Sequence, residues 1–182
     1  MPFTGNRLVS GWQLSTVTQW QTGNPLTLVT SGITSLTGIG NIRPDVNGSI
    51  GTTGNVAQWF SNDLTLCDPH PDATTDVDCS GATFVLPKTT SSTFHFGNVG
   101  RNSVYGPGFT NTDFSIRKTT KITERLSHEF RFEAFDVFNH PNFGQPGRVV
   151  GTTSFGKILN TRFQPGDSGS SRQLQFAMKL IF

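Results

Sequence analysis

Charge is scarce in this sequence. Asp, Glu, Lys and Arg make up 14% of its 182 residues, against about 25% in ordinary soluble domains. The net charge is only +2 and no run of Lys or Arg forms an electrostatic stripe, which argues against a nucleic-acid partner. No stretch of about 18 consecutive apolar residues exists, so no transmembrane helix is expected. The opening MPFTGNRLVSGW lacks a charged region followed by an apolar block, and so carries no signal-peptide pattern. Cysteine occurs twice. Cys67 and Cys79 lie in a turn-rich stretch, where the pair suits a disulfide in an oxidising compartment and equally suits two free thiols.

In place of charge the chain carries Gly, Ser, Thr, Asn and Gln, with 20 glycines and 16 phenylalanines. Polar without charge, and rich in Phe and Thr, is a β composition. The closing RQLQFAMKLIF alternates strictly. Leu174, Phe176, Met178, Leu180 and Phe182 fall on one parity, opposite Gln173, Gln175, Ala177, Lys179 and Ile181. A helix would scatter the five large residues around its axis, whereas a strand gathers them on one face. Residues 11–22 behave alike, with Trp12, Leu14, Thr16, Thr18 and Trp20 on one side. At ~3.3 Å per residue and a tilt of ~40°, the two tryptophans stand about 20 Å apart along a membrane normal. That is the spacing of an aromatic girdle, and equally that of two core tryptophans in a sandwich strand.

Further strands are expected at 111–119 and 125–138. In the second, Leu126, Phe130, Phe132 and Ala134 share a face against Ser127, Glu129, Arg131 and Glu133. Phe135 and Val137 break that parity, which calls for a bulge or the end of the strand. The four strands should be antiparallel, with 125–138 pairing both neighbours and Lys118 to Arg125 forming a tight turn. Residues 139–171 should connect at the opposite rim, with SFGKIL as a short strand inside. Residues 23–107 are crowded with Gly, Pro, Asn and Asp and read as turn chemistry. Short apolar patches at Leu26 and Leu28, Trp59 and Phe60, and Phe84 to Leu86 would pin the connection or add small strands. So long a connection is rare in a compact soluble domain. Outer-membrane barrels tolerate it, because their extracellular loops are long and their periplasmic turns short. The fold class expected is all-β: antiparallel strands of a transmembrane β-barrel, a partial barrel of four to five long strands with long loops.

Catalytic and metal-binding readings find little support. His70, His95, His128 and His140 are scattered, and CDPHPDATTDVDC matches no zinc spacing and no EF-hand loop. GNVGRNSVYGPG lacks the Lys-Ser/Thr of a P-loop and opens no helix. Glu129, Arg131 and Glu133 on one strand face resemble an acid–base set, but polar residues on that face are what a barrel lumen holds. No nucleophile elbow, HExxH or triad is present, so neither an enzyme nor a cofactor is expected.

The runs GNVGRNSVYGPGFTNTDFSIRK, RFEAFDVFNHPNFGQP and the terminal RQLQFAMKLIF, preceded by GWQLSTVTQWQTGNPLT and RPDVNG, resemble the C-terminal end of Oar-like TonB-dependent receptors in order along nearly the whole chain. The resemblance implies a barrel of about 22 strands around an internal plug, taking up ligands across the bacterial outer membrane with energy relayed by TonB. It implies outer-membrane lipid and the barrel-assembly machinery as partners, the latter reading Leu174, Phe176, Met178, Leu180 and the aromatic Phe182. Counterparts of the plug, the TonB-contacting box and most strands are absent. Residues 1–182 are therefore expected to be the C-terminal part of a larger receptor barrel, meeting TonB only through that missing part, with Met1 an internal methionine. On the closing strand, Met178 is expected near the bilayer midplane and Gln175 in the lumen. A secreted all-β sandwich module recognising glycan or protein is the competing class, and it would be soluble without detergent.

Overall fold

The computed structural model describes residues 9–30, 41–69, 75–87, 95–163 and 171–182. His70 lies outside them. Every regular element among these residues is a β-strand. Four are long: β1 (Trp12–Gln21), β2 (Phe109–Lys121), β3 (Ser127–Phe135) and β4 (Gln173–Ile181). They form one antiparallel sheet in the order β1-β2-β3-β4, so β3 pairs both of its sequence neighbours.

The four long strands expected are all present, with shifted ends. β2 runs to Lys121, taking up residues assigned to the turn from the sequence. The reversal is confined to 122–126, where the Ile122 and Thr123 amides both donate to the Leu126 carbonyl at 2.9 and 3.0 Å. At the other end β3 stops at Phe135 because Asp136 takes a left-handed backbone, φ 48°. An Asp can hold that conformation where a β-branched residue would not. Phe135 and Val137 thus mark a strand end and no bulge. The Val137 amide then donates to the Thr112 carbonyl at 2.8 Å, a last bond to β2 as the chain leaves the sheet.

The chain divides into two compact units. The sheet unit comprises 1–21, 109–142 and 162–182; the second comprises 22–108 and 143–161. In the second unit the apolar patches of 23–107 do both things expected of them: Pro25–Leu26, Gln58–Phe60 and Phe84–Val85 are small strands, and the patches pin the connection by sharing a core. Leu28, Phe60, Phe84, Val99, Val104, Val150 and Phe155 are buried together. The Phe155 ring lies 5.4 Å from Phe60 and 5.3 Å edge-on from Phe84, separations at which aromatic pairs attract beyond their buried area. SFGKIL is no strand. Its Phe155 makes a single bridge to Gly147, and the short strand of this connection is Val149–Val150, parallel to Val29–Thr30.

RPDVNG organises one side of this unit. An Arg43 guanidinium nitrogen donates to the Val99 carbonyl at 2.6 Å, and the Asp45 carboxylate accepts from the Asn98 amide at 2.9 Å. The Asn98 side chain reciprocates, bonding both the amide and the carbonyl of Val46 at 2.7 and 3.2 Å. Gly97 lies so close to Arg43 and Pro44 that a Cβ would collide with their carbonyl oxygens, which explains a glycine there. Cys67 and Cys79 are joined in a disulfide with Cα atoms 5.9 Å apart. Cys67 belongs to the short strand Leu66–Cys67 beside Phe84–Val85, so the bond ties a loop to that sheet. Beside it the Asp78 carboxylate accepts from the Ser80 amide at 2.9 Å, which holds its pKa below the ordinary carboxylate value.

Candidate functional site

Register turns the alternation of each long strand into two continuous faces. On one, Leu14, Ile116, Phe132 and Phe176 stand opposite one another in a row across all four strands. The neighbouring row toward the long connections holds Thr16, Phe114, Ala134 and Leu174. The row toward the tight turn holds Trp12, Lys118, Phe130 and Met178. Phe176 lies 5.0 Å from the Phe132 ring and 6.5 Å from Phe130. Among the described residues the β4 members of this face are open: Phe176 is 67% exposed, Met178 71% and Leu180 56%, while Ala134 is buried. A soluble sandwich would cover such a face with a second sheet.

Three threonines on this face are bonded in place. The Thr16 hydroxyl donates to the Asp113 carbonyl at 3.0 Å, and the hydroxyls of Thr18 and Thr112 pair at 3.2 Å. Paired hydroxyls cost far less in an apolar medium than open ones. Trp12 and Trp20 share the face, near its two ends, and are 52% and 83% exposed. Lys118 lies against the Trp12 ring at 4.6 Å and donates to the Ser10 carbonyl at 2.8 Å.

The register also refines the place of Met178. Its row contains Lys118, whereas the Phe176 row is apolar on all four strands. The row that is apolar throughout is thus the one next to Met178, on the side away from the turn.

The opposite face is polar and charged. Gln13, Arg117, Arg131 and Ala177 form one row; Ser15, Ser115, Glu133 and Gln175 form the next. Arg117 donates to the Gln13 side-chain oxygen, through Nε at 3.1 Å and also through Nη2. Glu129 sits between the two arginines, 3.9 Å from Arg117 and 3.4 Å from Arg131, and Glu133 lies 3.8 Å from Arg131. The Arg117–Arg131 cross-strand pair is tolerable because these carboxylates flank it; like charges directly opposite otherwise repel. Each such half-exposed pair contributes little stability, about 0–1 kcal/mol. The hollow lined by Gln13, Ser15, Ser115, Arg117, Arg131 and Glu133 encloses about 210 Å³, below the ~300–1,000 Å³ of a small-molecule pocket. Glu129, Arg131 and Glu133 are salted to one another with no nucleophile among them.

The end of the sheet away from the tight turn is closed by side chains that imitate backbone. The buried Asn142 amide accepts from the Thr110 amide at 2.8 Å and donates to the Thr110 carbonyl at 2.9 Å, extending the ladder by one step. The Asp113 carboxylate receives the Asn111 side chain at 2.9 Å and the Asp136 amide at 3.0 Å. Arg162 bonds the Asn142 carbonyl and the Gln21 side chain, and stacks on Phe109 at 4.7 Å. This lock is built from FDVFNHPN and its strand partners. Sequence reading found the segment but not the roles of Asn142 and Asp113, for which an Asn or Asp beside a strand end was the only signal.

An antiparallel sheet with one apolar face, one charged face, a tight turn at one end and long connections at the other has the organisation of an outer-membrane barrel wall. Residues 3–175 match a family model described as an outer membrane beta barrel domain. No curated protein and no solved structure matches the chain. The match and the uncovered apolar face together favour the membrane over a secreted sandwich. The chain belongs to the outer membrane beta barrel domain family and is a protein of the bacterial outer membrane.

Proposed function

We propose that this chain is the C-terminal barrel portion of a TonB-dependent outer-membrane receptor that takes up ligands. The observation carrying the proposal is the two-faced sheet, with both long connections leaving from the rim opposite the 122–126 turn. Short turns belong to the periplasmic side and long loops to the cell exterior, so the second unit is an extracellular insert, where its Cys67–Cys79 bond suits the oxidising surroundings. β1 and β4 are the edges of the described sheet. Lipid offers an edge no hydrogen-bond partners, so in the membrane both must be met by further strands. The receptor reading supplies them from the rest of one large barrel, together with a plug against the charged face. The apolar face then meets outer-membrane lipid, with Trp12 and Trp20 as girdle residues, and β4 presents Leu174, Phe176, Met178 and Leu180 to the assembly machinery. TonB acts through parts outside residues 1–182, and the segment itself performs no catalysis.

The test is the reading frame upstream of Met1. An in-frame plug, a TonB-contacting box and about 18 more alternating strands, completing the count of a large transporter, are expected. A stop codon directly upstream, with a mature 19.8 kDa product isolated from outer membranes, would overturn the receptor reading.

A further inference from the structure

Lys118 is the one charged side chain on the apolar parity of the four described strands. Charge on a barrel's outer face costs ~2–4 kcal/mol at the midplane and ~0–1 near the interface, so its level matters. It lies in the last mainly apolar row before the turn. The next row toward the turn holds Thr120, His128 and Leu180. Thr120 is two residues along β2 from Lys118, and His128 is its diagonal neighbour on β3, positions on one face about 7–8 Å apart. Trp12 stands directly opposite Lys118, its ring against the ammonium at 4.6 Å. An ammonium, which also donates to the Ser10 carbonyl at 2.8 Å, a hydroxyl and an imidazole thus share the turn-side border of a face with no other charge. Phe130 and Met178 stand in the Lys118 row itself, and Phe132 and Phe176 continue the apolar band in the row beyond.

We infer that Lys118, Thr120 and His128 form a binding site for the phosphate of a membrane phospholipid, with its acyl chains lying along Met178, Phe130 and Phe176. The occupant follows from charge and continuity. A phosphate is the anion present at that depth, Lys and His ring nitrogens and a Thr hydroxyl are donors, and only a lipid joins a phosphate to apolar chains. Trp12 suits the border, since an indole ring prefers the headgroup level. The inference rests on the proposed orientation, which puts this rim in the periplasmic leaflet, where phospholipids lie.

The test uses the full-length receptor, purified from outer membranes in mild detergent and analysed by native mass spectrometry for lipid that stays bound. Wild type should retain a phospholipid, and exchange into phosphatidylglycerol should preserve binding where a phosphate-free glycolipid of equal chain length does not. Lys118→Gln should weaken retention roughly fivefold, and Lys118→Gln with His128→Gln more. Lys179→Gln on the charged face should leave it unchanged, and inorganic phosphate should not compete. Folding is checked by the band shift on boiling, and Lys118→Arg serves as a charge-preserving variant should Lys118→Gln fail to fold. Equal retention by Lys118→Gln and wild type, or equal binding of the phosphate-free glycolipid, would overturn the site. Retention of lipopolysaccharide in place of phospholipid would overturn the leaflet assignment, and the proposal with it, while leaving the receptor reading to its own test.

Discussion

Phe176 and Gln175 are consecutive residues on opposite faces of one strand, and the contrast between them is the sharpest residue-scale consequence of the structure. Phe176 sits in the row that is apolar across all four strands, while Gln175 stands opposite Glu133 on the charged face. In the full-length protein, Phe176→Arg should cost ~2–4 kcal/mol and Met178→Arg less, since lipid-face charge is cheaper toward the interface. Gln175→Arg should be nearly neutral. Urea titration of the barrel folded into lipid vesicles measures all three; Met178→Arg costing more than Phe176→Arg would show that the band is centred nearer the turn. The side of every one of these residues was legible in the alternation. Their depth was not, because depth depends on which residue of the next strand stands opposite, and the Lys118 that marks the border of the band is 60 residues from Met178 in sequence.

Elements were legible to different degrees. The long strands announce themselves by period two, and β3 ends where its parity breaks, at Phe135. The second unit announces itself poorly, because its regular strands are two to four residues long and no periodicity fits in so short a span. Its core residues, Leu28, Phe60, Phe84 and Phe155 among them, are single side chains gathered from distant turns. The Cys67–Cys79 bond closes a loop of sequence separation 12 within this unit. Loops of that size give a disulfide about 2–3 kcal/mol of stabilisation in the chain-entropy account. Replacing both cysteines by serine should therefore make the second unit more sensitive to protease added to intact cells, while the boiling-dependent band shift of the barrel stays unchanged. Loss of the band shift in that variant would mean that the sheet depends on the insert for folding. Protection from protease in wild type and variant alike, lost only on opening the outer membrane, would place the insert in the periplasm.

At the scale of the whole molecule, four strands with β1 and β4 as edges make a piece of wall, since closure into a barrel links strand number, tilt and diameter and small bacterial barrels begin at about eight strands. Residues 1–182 expressed alone should consequently refold in detergent without a band shift on boiling and without conducting ions across a planar bilayer. A boiling-sensitive oligomer of fixed size would instead show that copies of this sheet close a barrel among themselves. The sequence alone determined the class, the long strands and the two faces, because composition and period-two alternation are local properties that survive any arrangement of neighbours. It left open whether Cys67 and Cys79 pair, which the structure answers with a disulfide. Only the tertiary structure decided that the glycine-rich connections share a core, that Asn142 completes the ladder at Thr110, and that Leu14, Ile116, Phe132 and Phe176 stand in one row. Each of these joins residues far apart in the chain, and register across a sheet is set by packing and hydrogen bonding between strands that no single stretch of sequence contains.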